Sequence, residues 1–127
     1  MPCAFDIDTM RNAILTISSG VLTGGELTAT TAAIYHDPRF TPERNSFMDF
    51  SHVTEWQTAS SVFARLAADR RFSDGSRTAF FATTSEGCGL GRVYQGWNQC
   101  GLVEVFQCRV EALAWINFGL PVELHLV

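Results

Sequence analysis

Residues 87–91 read GCGLG, three glycines at alternate positions. They follow RTAFFATT (77–84), a β-branched and aromatic run that reads as a central strand. After them Leu90, Val93, Tyr94 and Trp97 recur at helical spacing. Glycines between a strand and a helix are where backbone amides can cradle a phosphate. The dinucleotide fingerprint G-x-G-x-x-G needs a glycine at its sixth position, which counted from Gly87 is Arg92. A phosphate loop needs Lys before Ser or Thr, and neither feature is present. The glycines therefore read as a tight strand-to-helix turn, with Gly89 or Gly91 allowing close packing on the sheet.

A less specific anion or small-ligand site fits the same region better. Open α/β sheets bind ligands beyond the carboxyl ends of their strands. Asp49, Thr83, Thr84, Ser85 and Cys88 are expected to gather at that edge, with Arg92 one turn into the helix. Hydroxyls, helix amides and a guanidinium suit a carboxylate or phosphate group. The competing assignment is that these groups cap the helix and satisfy loop backbone. Near a helix start the Cys88 thiol would be acidified by the dipole. No histidine is near it in sequence and no second cysteine lies three residues away, so a small turn residue is the plainer reading. Glu26, Glu55, Glu86 and Glu104 offer no pairing for acid–base work. A different chemistry is suggested by Trp56, Tyr94, Trp97 and Trp115, with Phe63, Phe80 and Phe81. These could line an apolar cavity between helices and sheet, or simply fill the core.

No metal or cofactor is expected. The cysteines (3, 88, 100, 108) and histidines (36, 52, 125) match no zinc spacing. Every basic residue is an arginine, which excludes Schiff-base and general-base lysines. The net charge of −4 and scattered arginines argue against nucleic-acid binding. With 127 residues, 46% hydrophobic and 17% charged, the chain suits one globular domain, 1–127. No apolar run is long enough to span a membrane and the start has no signal-peptide pattern, so a soluble cytoplasmic protein is expected.

The elements that must position these groups follow from periodicity. Strands are expected at Cys3–Ile7 and Ala13–Ser18, with Thr9–Asn12 as the turn. Thr28 is the expected N-cap of a helix from Ala29 to His36 that Pro38 stops. Asn45–Phe50 reads as a strand, and a second helix carries Ala59, Val62, Phe63, Leu66 and Ala67 on one face. After the 77–84 strand and the third helix, Leu102–Phe106 reads as a strand. Val110, Leu113, Ala114 and Ile116 mark a last helix. The order β-β-α-β-α-β-α-β-α implies an α/β domain with parallel β-α-β units, an antiparallel hairpin at the start, and helices packed on a mixed sheet. Beyond it, residues 118–127 carry Val122, Leu124 and Leu126 alternating with Glu123 and His125, which reads as an extra strand that covers its own domain or forms a homodimer contact.

Five strings resemble, in order, a group of small bacterial proteins described as STAS-like or CRAL-TRIO-like. They are GELT (25–28), HDPRF (36–40), MDFSHVTEW (48–56), GLGRVYQ (89–95) and VEVFQCRVEALAWI (103–116). The resemblance implies the fold of anti-sigma-factor antagonists. In those proteins a strand ending in Asp-Leu leads to a phosphorylatable serine, in a pattern close to DLSxVxxxDSSG. Here DFSHVTEWQTAS places Thr58 at the serine position, but Gln57 and Ala59-Ser60 replace its usual neighbours. The alternative role for Thr58 is an N-cap hydroxyl, and the resemblance makes Asp49 a turn-stabilising acid rather than a base. The implied function is a non-enzymatic binding or regulatory module acting through a protein partner or small ligand. The CRAL-TRIO side of the resemblance implies instead a carrier of an apolar or amphipathic molecule. An enzyme using the Asp49, Cys88 and Arg92 edge is the weakest of the three readings.

Overall fold

A computed structural model describes residues 3–118. The chain runs β1 (Cys3–Asp8), β2 (Ala13–Thr23), α1 (Gly24–His36), β3 (Asn45–Gln57), α2 (Ser60–Ala68), β4 (Arg77–Phe81), α3 (Ser85–Trp97), β5 (Leu102–Phe106) and α4 (Arg109–Trp115). The five strands form one sheet in the order β1-β2-β3-β4-β5. The β1–β2 pair is antiparallel and every other pair is parallel. This is the mixed-sheet α/β architecture expected from the element order.

The hairpin turn is set by Asp8, whose Oδ1 accepts from the amides of Met10 (3.1 Å) and Arg11 (3.0 Å). Asn12 closes it at φ 54°, a left-handed conformation that asparagine tolerates. Three crossovers, β2-α1-β3, β3-α2-β4 and β4-α3-β5, step across the sheet in one direction. With right-handed connections this puts α1, α2 and α3 on the same face. There Met48, Phe50, Phe63, Phe80 and Tyr94 form the main core, and Ile7, Ile14 and Ile34 extend it beneath α1. Among the described residues the opposite face is covered by α4, which packs Ala112 and Ile116 on Phe47, Ala79 and Phe81.

Several boundaries differ from the sequence expectation. β2 continues through Gly20, at φ 64°, to Thr23 rather than ending at Ser18. α1 begins at Gly24, because Thr23 and not Thr28 is its cap. Thr23 and Glu26 form a capping box in which Thr23 Oγ1 accepts from the Glu26 amide (3.2 Å). β3 runs seven residues past Phe50 to Gln57, with Val53 buried and Trp56 half-buried on its inner face. β4 stops at Phe81, leaving Thr83 and Thr84 to the loop. The largest difference is at GCGLG, which is not a turn. All three glycines lie inside α3. A Cβ on Gly91 would stand 2.7 Å from Phe80 Cδ1, and one on Gly87 would stand 2.9 Å from Ala82 Cβ. Close approach to the sheet requires glycine at both positions, whereas Gly89 faces open space. The strand read over Val122–Leu126 lies outside the described residues.

Candidate functional site

Within β3, opposite Phe81 at the carboxyl end of β4, Asp49 is fully buried, with its side chain 0% exposed. Its Oδ1 accepts from the Ser51 amide (2.9 Å) and the Ser51 hydroxyl (2.6 Å). Its Oδ2 accepts from Arg109 Nη2, making an ion pair. Arg109 is the first residue of α4, and its guanidinium lies over the Phe47 ring (5.5 Å) and the Phe81 ring (5.4 Å). A carboxylate held by three donors is a positioning acid, and it fixes where α4 begins. The other end of α4 is tied down by Asn45 Nδ2 donating to the Ile116 carbonyl (3.0 Å) and by Arg77 Nη1 donating to the Trp115 carbonyl (2.9 Å).

The six residues expected to gather at this edge are divided by the sheet. Asp49 shares the α4 face with Phe47 and Phe81, because alternate residues of a strand face the same way. Cys88 belongs to the core beneath α2 and α3 on the other face. Thr84 is the N-cap of α3, its Oγ1 accepting from the Gly87 amide (3.1 Å), so one amide available for an anion already has a partner. Thr83 and Ser85 are exposed, and Cys88 is buried. The Cys88 thiol donates to the Ala82 carbonyl (3.5 Å) and accepts from Gln107 Nε2 (3.4 Å), a structural thiol rather than a presented nucleophile. Arg92 is exposed and, among the described residues, makes no hydrogen bond or ion pair with the other five. The residue that sequence reasoning missed is Arg109. Its signal was its place as the first residue of the helix after β5, at the edge where Asp49 lies.

Thr58 is not the cap of α2, since that position is Ala59 with no side-chain bond. The Thr58 hydroxyl donates to the Ala59 carbonyl at 3.4 Å and lies 3.0 Å from where a Gly24 Cβ would be. The three aromatics expected around one cavity are divided between the core and the surface. Trp56 packs at a tilt against Phe50 (5.5 Å) and Phe63 (6.1 Å), and Tyr94 against Phe80 (5.9 Å), within a continuous aromatic cluster. Trp97 stands outside it, 57% exposed. Among the described residues no three His, Cys, Asp or Glu side chains come together as metal ligands. Likewise none of the described helices is long and apolar enough to cross a membrane.

What the α4 face does present is an apolar surface. Ile17 is the cross-strand partner of Asp49 and is 49% exposed, beside half-buried Leu15 on the same face of β2. Val110, next to Arg109, is also exposed, and the Arg109 side chain is 47% exposed. Ala4, Asp6, Leu15 and Ile17 outline a shallow groove of about 240 Å³ across the β1–β2 ribbon, which α4 does not reach.

A five-stranded mixed sheet in sequential order, with three crossover helices on one face and a closing helix on the other, is a STAS-like fold of the kind described as SpoIIAA-like. The crystal structure of an uncharacterized protein of the DUF3478 family from Shewanella loihica PV-4, itself described as having a SpoIIAA-like fold, superposes with a TM-score of 0.61. The two share 18% identity over 90% of this chain and 93% of that one, which establishes a common fold. No protein-family profile and no curated protein sequence matches this chain.

Proposed function

We propose that this domain is a non-enzymatic binding module that acts through a protein partner, docking on the α4 face around Ile17, Arg109 and Val110. The observation that carries this reading is the state of Asp49. The buried acid of β3 has both carboxylate oxygens engaged by Ser51 and Arg109, so it organises the surface where α4 begins. Around it, half-exposed Ile17 and exposed Val110 supply apolar contact, and the outer edge of the Arg109 guanidinium supplies donors. A partner segment with an apolar anchor beside a carboxylate suits that surface. A photo-crosslinking residue at position 17 tests it against one at Thr28, which is exposed on α1 over the other face. The expected result is a discrete adduct from position 17 that Val110→Asp abolishes. No adduct, or the same adducts from both positions, overturns the reading.

A second reading is favoured by one specific feature. Between β1 and α1 lies a mainly apolar groove of about 510 Å³, lined in part by Cys3, Phe5, Ala29 and Ala33. Its size is that of small-molecule sites, so a carrier of an apolar or amphipathic molecule would hold its cargo there rather than among Trp56, Tyr94 and Trp97. Native mass spectrometry after mild purification separates the two readings: a retained ligand lost in Ala33→Trp supports the carrier, and a clean apo mass removes it.

A further inference from the structure

The described part of the chain ends beside the β1–β2 turn. After α4, Asn117 takes a left-handed φ of 61°, the Asn117 amide donates to the Ala114 carbonyl (3.0 Å) and the Phe118 amide to the Leu113 carbonyl (2.9 Å). These two bonds make a Schellman closure, which turns the chain sharply out of the helix. Phe118 packs with the α4-face cluster, and the guanidinium of Arg11, in the hairpin turn, lies over its ring at 5.0 Å. The Ile116 carbonyl is held at the same end of the sheet by Asn45, the cross-strand partner of Ala13 at the start of β2. Residues 119–127, GLPVELHLV, continue from that point.

The nearest edge of the sheet is β1, whose outer side pairs with nothing among the described residues. Alternate backbone N–H and C=O groups along Cys3–Asp8 therefore face outward. Proteins blunt such an edge with lysine, proline or a bulge. β1 has none of these, and its two charges, Asp6 and Asp8, fall on the α4 face opposite Leu15 and Ala13. On the helical face the edge is flanked by the apolar groove of about 510 Å³ between β1 and α1. Above it Gly25, Ala29 and Ala33 recur every fourth residue along α1, all exposed. The groove and the open ladder together have the form of a slot for one more strand, with room on the α1 side for its alternate side chains.

We propose that the chain's own segment Val122–Leu126 adds to the free edge of β1 as an antiparallel strand and lays Val122, Leu124 and Leu126 in the groove beside α1. The direction follows from the point of entry, at the end where β1 finishes. Residues 119–121 can span about 10 Å, which matches two strand spacings of about 4.8 Å, and Pro121 falls before the strand, where its missing N–H breaks no ladder bond. With Val122 opposite Ile7, Leu124 opposite Phe5 and Leu126 opposite Cys3, the three apolar side chains share the helical face with their partners. Glu123 then lies beside Asp6, where Arg39 Nη1, 3.1 Å from Asp6 Oδ1, supplies a cation, and His125 lies beside Ala4. A slip of one residue would set Val122 and Leu124 against Asp8 and Asp6 on the other face, so the register is sharply selected. Tethering favours the chain's own segment over that of a second copy, which would need roughly millimolar protein to compete. The inference goes beyond both functional readings above and needs neither; a cargo in the groove would first have to displace the segment.

The test is hydrogen exchange of the full chain, read amide by amide by NMR. The β1 amides that point away from β2 are expected to be protected, and Leu124→Asp should speed their exchange by roughly tenfold or more, because the aspartate loses the burial that holds a leucine in an apolar groove. Ala33→Trp, which fills the groove from the α1 side, should do the same, whereas His125→Ser, on the opposite face of the segment, should not. The chain should elute as a monomer, with protection unchanged on dilution. If Leu124→Asp proves insoluble, Ala33→Trp and His125→Ser decide alone. The proposal is overturned by outward β1 amides that exchange freely in the parent chain, by protection that Leu124→Asp or Ala33→Trp leaves intact, by an equal loss in His125→Ser, or by protection that falls as a dimer is diluted, which would give the edge to the segment of a second copy.

Discussion

Gly89 and Gly91 are two residues apart in the same helix and should respond to alanine in opposite directions. A glycine in a helix interior costs about 0.8–1 kcal/mol relative to alanine. At Gly89 the new methyl meets nothing within 4 Å, so Gly89→Ala should recover about that much stability. At Gly91 the methyl would stand 2.7 Å from Phe80 Cδ1 and 3.0 Å from both Phe80 Cε1 and Val105 Cγ2. Phe80 is 0% exposed and packed against the tilted Phe50 ring at 4.6 Å, so it has little room to retreat. Overpacking a core in this way costs about 1–3 kcal/mol, which outweighs the helix gain. Gly91→Ala should therefore be destabilised by about 1 kcal/mol and differ from Gly89→Ala by about 2 kcal/mol. Urea unfolding followed by circular dichroism reads both, provided the slope m is unchanged between variants. Two variants of equal stability, or a stabilised Gly91→Ala, would show that contact with the sheet is not why glycine occupies position 91.

Other consequences can be measured in the same way. Arg109→Ala leaves the Asp49 carboxylate buried with Ser51 alone and should cost about 2–3 kcal/mol in urea unfolding; Asp49→Asn, which frees a guanidinium already half in water, should cost about 1 kcal/mol. Thr23→Ala removes the capping box of α1 and should cost about 1 kcal/mol, with Thr23→Ser restoring most of it. Because the Tyr35 phenol is raised from about 10 to about 12, the unfolded chain releases its proton first, so stability should fall between pH 10 and 12; phenolate absorbance and urea midpoints across that window check it, and Tyr35→Phe should flatten the fall. If residues 118–127 join two copies, a chain ending at Asn117 should elute as a monomer where the full chain elutes as a dimer, and unchanged elution removes the tail from assembly.

Strand and helix order could be read directly, since RTAFFATT, LVEVF and the spacing of Phe63, Leu66 and Ala67 each carry one clear period. Boundaries failed where two signals competed. Glycine marks turns in sequence, but at positions 87 and 91 it is there because the sheet comes too close for a side chain, and a tertiary contact has no local signature. Thr23 and Thr28 are equally good caps by type; the Thr23–Glu26 spacing was the discriminating feature. The candidate site was mislocated for a different reason. Sequence order brought Asp49, Thr84 and Cys88 to one edge but could not say which strand residues face which way. The register pairs Asp49 with Phe81 and Ile17, and that assigns it to α4 and Arg109. Arg70 was legible only as half of an adjacent arginine pair, and its burial comes from packing on Phe72 and Tyr94.

The sequential order of the strands bears on how the chain is made. Each strand pairs only with its neighbours in sequence, so as the ribosome releases the chain every new β-α unit finds its docking edge already exposed. Among the described elements α4 departs from this rule, since it must turn back beneath strands laid down earlier. At seven residues it is too short to be helical without them. Its docking therefore waits until all five strands have been made, and until it occurs Phe47, Ala79 and Phe81 lack the cover that α4 gives them and stand open to a chaperone or a neighbouring nascent chain.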